Sequence, residues 1–168
     1  QMPHDVFISY SSHDKVVADA ICSKLEQNNV RCWIAPRDIL GGETYGTAII
    51  DAINNCSIVV VIFSSDSNSS NFVLSEIERA VSKGKIIIPV RIEDIHPSGD
   101  MELFLARRHW LDAITHPPDV HYAKLSETIH QLLNKEPVTK PEIVIVQKPT
   151  IDPLTKLKNG YYFIVEKE

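Results

Sequence analysis

A doubly wound α/β sheet of five parallel strands, with helices on both faces, is the fold class this sequence predicts. Three observations carry it. Short β-prone apolar runs recur five times, segments of helical periodicity fall between them, and three of the runs are apolar at nearly every position. A strand that is apolar throughout is suited to burial on both faces, the condition of a parallel strand flanked by crossover helices. Five strand–helix alternations of this kind favour the order 2-1-3-4-5, the flavodoxin-like arrangement.

The expected strands are Val6–Tyr10, Arg31–Ala35, Ile58–Ser64, Ile86–Arg91 and His109–Leu111. After the first, Val17, Ala20, Ile21 and Leu25 share one helical face. After the third, Val73, Ile77, Ala80 and Val81 do so, and at the end of the series Tyr122, Leu125, Ile129, Leu132 and Leu133. The crossover from Glu93 to Arg108 holds Pro97 and Gly99, which leaves room for only a short helix. The domain is expected to span residues 2–134. Residues 135–168 then form a linker, Lys135-Glu-Pro-Val-Thr-Lys-Pro141, and an accessory segment with a short strand at Glu142–Gln147. Gln1 ahead of Met2 is read as foreign to a native chain starting at Met2.

Composition narrows the function. The 168 residues carry a net charge of −5, with 11 Lys/Arg against 17 Asp/Glu in residues 1–134 and 6 against 5 beyond. No basic patch stands out, so nucleic acid is not expected as a partner. The longest apolar run, Ile58–Phe63, falls far short of the ~20 residues that span a bilayer, and no signal peptide is visible. A membrane is therefore not expected either. Cys22, Cys32 and Cys56 are odd in number and lie in apolar segments, as reduced thiols of a cytoplasmic protein do. The seven histidines show no metal-ligand spacing, so neither a metal nor a bound cofactor is expected.

Open parallel sheets bind ligands at the carboxyl ends of their strands, where the strand order reverses. Here that crevice lies between strands 1 and 3. Its loops are Ser11-Ser-His-Asp14 and Ser64-Ser-Asp-Ser-Asn-Ser-Ser70. Such hydroxyl-rich loops cap helices, and they also leave backbone N–H groups for an anion such as a phosphate. No Gly-x-Gly-x-x-Gly and no Walker loop is present, and Gly41-Gly42 reads as a turn. On the helix after strand 3, Phe72 and Glu76 lie one turn apart on one face, with Glu76 at the edge of the apolar stripe. An aromatic ring beside a carboxylate suits a ribose and an adjoining flat ring. The alternative is a Glu76–Arg79 pair on a solvated face with Phe72 in the core.

Three segments in combination resemble prokaryotic members of the TIR (Toll/interleukin-1 receptor) domain family: Phe7-Ile-Ser-Tyr10, Trp33-Ile-Ala-Pro-Arg-Asp-Ile39 through Gly42, and Ser70-Asn-Phe-Val-Leu-Ser-Glu76. The resemblance covers roughly residues 4–134. It implies an NAD+ glycohydrolase, with NAD+ as substrate, that breaks the nicotinamide–ribose bond to give ADP-ribose or a cyclic isomer. It makes Glu76 the catalytic residue and Phe72, where many members have Trp, part of the substrate pocket. Ser9, Tyr10 and Ser11 would line the crevice. The second segment corresponds to the family's BB loop, from which Arg37, Asp38 and Tyr45 become further substrate-binding candidates. The resemblance also implies activation by self-association through TIR–TIR contacts that include this loop, and a role in prokaryotic immune signalling.

A second family enters through the tail. Asp152, Leu154, Thr155, Leu157 and Asn159 match the opening of a GGDEF domain, while Lys156 and Gly160 do not. The signature loop of that family is absent, so no cyclase activity is inferred. The alternative is a hairpin turning at Asn159-Gly160. For the main domain, the competing function is a non-catalytic TIR–TIR scaffold. A phosphoreceiver would need an acidic cluster after strand 1 and an Asp ending strand 3, where this chain has Ser9-Tyr10 and Phe63-Ser64.

Overall fold

The structure, a computed structural model, describes residues 3–134 together with the backbone of residues 143–145 and 164–166. Five strands, β1 (Val6–Ser9), β2 (Cys32–Trp33), β3 (Ile58–Phe63), β4 (Ile86–Arg91) and β5 (Leu111–Asp112), form one sheet in the order β2-β1-β3-β4-β5. Every neighbouring pair is parallel, as the apolar runs require. The connecting helices are α1 (Lys15–Gln27), α2 (Tyr45–Asn55), α3 (Ser65–Asn68), α4 (Asn71–Ser82), α5 (Asp100–Leu105) and α6 (Asp119–Asn134). The Glu93–Arg108 crossover does hold a single short helix, α5.

Strand alternation sorts the core into two layers. Val6, Ile8, Ile58, Val60, Ile62 and Val90 face α1 and α6, where Ile21, Leu25, Leu125 and Ile129 meet them. Phe7, Val59, Val61, Phe63 and Ile87 face the other way, toward Ile49 and Ile53 of α2 and Val73 and Ile77 of α4. All six residues of β3 are fully buried, so the centre of the sheet is the driest part of the domain.

The outer strands are shorter than expected. β2 stops at Trp33 because Ile34 leaves the ladder: its N–H donates to Asp38 Oδ2 at 2.9 Å and its carbonyl accepts from Asp38 N at 3.0 Å. A local turn thus takes the backbone groups that a longer edge strand would have paired. β5 begins at Leu111 instead of His109, with Val90↔Leu111 and Arg91↔Asp112 in register.

Beyond Asn134, residues Lys135–Glu168 form a second compact unit in which β6 (Ile143–Ile145) pairs antiparallel with β7 (Ile164–Glu166). The strand expected at Glu142–Gln147 is described at Ile143–Ile145. The GGDEF-like positions Asp152 to Asn159 and the Asn159-Gly160 turn lie outside the described residues.

Candidate active site

Ser9 is the last residue of β1, two positions after Phe7, and so shares its face of the sheet. That face is covered by α4, whose apolar stripe Val73, Ile77 and Ala80 lies on the sheet. Glu76 sits on the buried side of the same helix, one residue from Ile77 and one turn from Ala80. Its side chain is pushed against the end of β1, where Ser9 Oγ donates to Glu76 Oε1 at 2.7 Å. Ser9 is 0% exposed and Glu76 only 6%. Burial withholds water from the carboxylate and pushes the Glu76 pKa up to about 8, with the Ser9 hydrogen bond acting in the opposite direction.

Glu76 forms one wall of a cleft of about 430 Å³ at the carboxyl end of the sheet. That volume lies within the range of small-molecule sites, roughly 300–1,000 Å³. The loop after β1 contributes Tyr10, Ser11 and His13. The Tyr10 hydroxyl donates to the Ala35 carbonyl, tying this loop to the one after β2. At the rim, Tyr45 opens α2 and Phe72 stands in the first turn of α4, with ring centroids 5.9 Å apart at an interplanar angle of 53°. Both rings are 50% exposed, an unusual state for large aromatic side chains and one that offers two flat faces to a ligand. Asp66 and Ser70 line the remaining side.

The hydroxyls of the two loops largely serve the backbone. Ser11 accepts from His13 N, Ser64 and Ser67 form a capping box on α3, and Ser70 accepts from Val73 N at the start of α4. Ser64 also donates to Asp14, which links the two loops behind the cleft. Burial pushes the Asp14 pKa up, and the nearby Asp66 and Glu93 add to that rise against the Ser64 hydrogen bond. Neither Lys nor Arg lines the cleft among the described residues; His13 is the one lining group able to carry positive charge.

Of the residues singled out in the sequence, the structure brings Tyr10, Ser11, Tyr45, Phe72 and Glu76 to one cleft. Ser9 is not on its wall; it meets the cleft only through Glu76. Arg37 and Asp38 are not on the wall either. Arg37 pairs with Glu26 at 2.6 Å and Asp38 at 2.9 Å and donates to the Cys32 carbonyl at 3.1 Å, while Asp38 is held by Ile34 N. These bonds turn both side chains toward α1 and the root of their own loop. The Glu76–Arg79 pair is not formed: Arg79 Nε donates to Asn54 Oδ1 at 3.3 Å, and Phe72 is at the surface instead of in the core. His13 and Asp66 were not singled out; both lie in the two crevice loops, and that position was their only signal.

Comparison with known proteins bears on the family and the fold. A probable 2′ cyclic ADP-D-ribose synthase of Brachypodium distachyon is 30% identical over 114 residues, which is 62% of this chain and 50% of that protein. The chain thus spans about half the length of the curated relative it matches. Among solved structures, the TIR domain of the Toll-related receptor TRR-2 from Hydra magnipapillata superposes with a TM-score of 0.64 at 25% identity, covering 76% of this chain and 98% of that one. The CMP N-glycosidase BcmB of Clostridium botulinum shares the fold at 16% identity, with a TM-score of 0.56 over 74% of this chain and 98% of that one. The sequence model of the TIR domain matches residues 6–129, close to the whole of the described sheet and its helices, and the chain belongs to the TIR domain family.

Proposed function

We propose that this domain is an NAD+ glycohydrolase that cleaves the bond between nicotinamide and ribose. The observation that carries the proposal is the buried carboxyl of Glu76 at the wall of a ligand-sized cleft with an aromatic rim. The name of the Brachypodium relative, a probable cyclic ADP-ribose synthase, supports the same class of substrate.

The chemistry asks little of the protein. Nicotinamide in NAD+ is a pyridinium and leaves as a neutral molecule, so no acid has to protonate it. The cost lies in the ribosyl cation that forms as the bond breaks. Glu76, accepting hydrogen bonds from the ribose hydroxyls through its carboxylate, stabilises that charge in a site where water does not screen it. In the ligand-free protein a pKa of about 8 leaves this carboxyl mostly neutral near pH 7. Arrival of the cationic ring favours its ionised form, so the charge is created when the substrate that needs it is bound. Phe72 and Tyr45 would hold the flat ring at the rim, with Tyr10 and Ser11 beneath the ribose. Arg37 and Asp38 shape the loop that carries Ala35 instead of touching substrate. Water capturing the ribosyl cation gives ADP-ribose and a proton; an internal nucleophile gives a cyclic isomer.

The wider setting belongs to the same proposal. Residues 2–134 act as the effector domain, and residues 135–168 as a linker into an accessory segment, of which a GGDEF start is one form. Self-association through TIR–TIR contacts that include the loop after β2 raises activity, in a cytoplasmic prokaryotic immune pathway. Among the described residues no helix is long and apolar enough to cross a membrane.

The test is nicotinamide release from NAD+ at high protein concentration, comparing the native protein with Glu76→Ala. Loss of an electrostatic contact made in the transition state costs ~3 kcal/mol or more, a fall of at least about a hundredfold. Turnover that persists in Glu76→Ala refutes the site. Absence of turnover in the native protein, even when assembled, favours the adhesive scaffold.

A further inference from the structure

We infer that Ser9 is a positioning residue for Glu76: its buried hydroxyl fixes which carboxyl oxygen faces the cleft and how readily the carboxyl gives up its proton. The effect on turnover rests on the role proposed for Glu76, whereas the effect on ionisation is a property of the ligand-free protein.

The geometry is specific. Ser9 is 0% exposed and does not reach the cleft, so substrate contact is not its role. It ends β1 in register with Val61 of β3, on the face that α4 covers. A serine has one proton to donate, and here it goes to Glu76 Oε1 at 2.7 Å. That is the one protein hydrogen bond to the Glu76 carboxyl among the described residues. It commits Oε1 to the strand and leaves Oε2 for a ligand. A hydroxyl donating to a carboxylate is a charge-assisted bond that favours the ionised form. Ser9 thus works against the burial that keeps Glu76 neutral.

The other titratable groups near Glu76 do not share this task. Tyr10, His13, Tyr45 and Asp66 line the same cleft from three other elements, and none hydrogen-bonds to Glu76. Asp14 lies behind the loops and is engaged by Ser64. From the core side, Glu76 is flanked on α4 by the uncharged Val73, Ile77 and Ala80. Removing Ser9 therefore leaves the carboxyl with burial and no compensating donor.

The experiment follows the Glu76 carboxyl by carbon-13 NMR in glutamate-labelled, ligand-free protein, titrating native, Ser9→Ala and Ser9→Cys chains. The Glu76 resonance is assigned by its loss in Glu76→Gln. Ser9→Ala is expected to move the midpoint upward by about one to two pH units, the worth of a hydrogen bond to a charged group. Ser9→Cys, with a weaker donor, is expected between the two. The acidic limb of kcat/KM for NAD+ is expected to move in the same direction. A midpoint unmoved in Ser9→Ala overturns the inference, as does a fall in activity that is equal at every pH. Should Ser9→Ala fail to fold by circular dichroism, an unmoved midpoint in Ser9→Cys overturns it equally. A native protein whose carboxyl titrates as stated but releases no nicotinamide refutes the glycohydrolase and leaves the Ser9–Glu76 coupling in place.

Discussion

Glu76→Gln keeps the size and shape of a buried side chain and removes its proton equilibrium. In the folded protein the carboxyl has a pKa of about 8, against 4.5 when it is exposed to water, because burial disfavours the charged form. A raised pKa means that the folded state binds the proton more tightly than the unfolded state. Between pH 4.5 and 8 unfolding therefore releases a proton, and stability falls as pH rises through that window. The full effect is about 5 kcal/mol, of which about 3 to 4 kcal/mol falls between pH 5 and pH 8. Asp5 acts with the opposite sign: its pKa is lowered overall because hydrogen bonds from Arg31 outweigh the cost of its burial. It is common to both proteins and cancels in their difference. With a urea slope of roughly 2 kcal/mol per molar, the midpoint of the native protein should fall relative to Glu76→Gln by about 2 M from pH 5 to pH 8. Urea unfolding followed by circular dichroism at several pH values measures this. A native-minus-variant difference that does not change with pH would refute a desolvated Glu76.

Three further outcomes follow from the same structure. The kcat/KM for NAD+ should rise with pH, reaching half its maximum near pH 8 where free Glu76 ionises, and nicotinamide release measured across that range checks it. Phe72→Ala removes a ring that is 50% exposed, so stability should change by no more than about 0.5 kcal/mol while KM for NAD+ rises about tenfold; steady-state kinetics beside a thermal melt separates the two. Ile62→Ala opens a cavity in a strand buried on both faces, costing about 2–5 kcal/mol and lowering the melting temperature by roughly 10 °C, read by calorimetry.

The sheet was legible because its central strands advertise their burial. Ile58–Phe63 is apolar at all six positions, which is hard to reconcile with anything but a strand covered on both sides. The ends of β2 and β5 were not legible, because at an edge the ladder competes with local turns such as the one Asp38 makes with Ile34. In the site, Glu76 and Phe72 could be placed on one helical face from spacing alone, yet the depth of Glu76 could not. One polar residue at the edge of a stripe is read as solvated, and only packing against β1 decides otherwise. The inward face of Ser9 is legible in the sequence, because a residue two positions after Phe7 shares its side of the sheet. Arg37 and Asp38 stand off the cleft wall for a different reason. A charged loop residue is drawn to whichever partner is in reach, and Glu26, 11 positions away on α1, is invisible to a local pattern.

A strand of two residues ends the sheet on each side, β2 on one and β5 on the other. So brief a border exposes too few unsatisfied amides and carbonyls for a foreign chain to zip onto it. Recruitment of further copies by lengthening the sheet is thereby discouraged. A filament built from this five-stranded domain is therefore expected to be held by side chains on its helices and connecting segments.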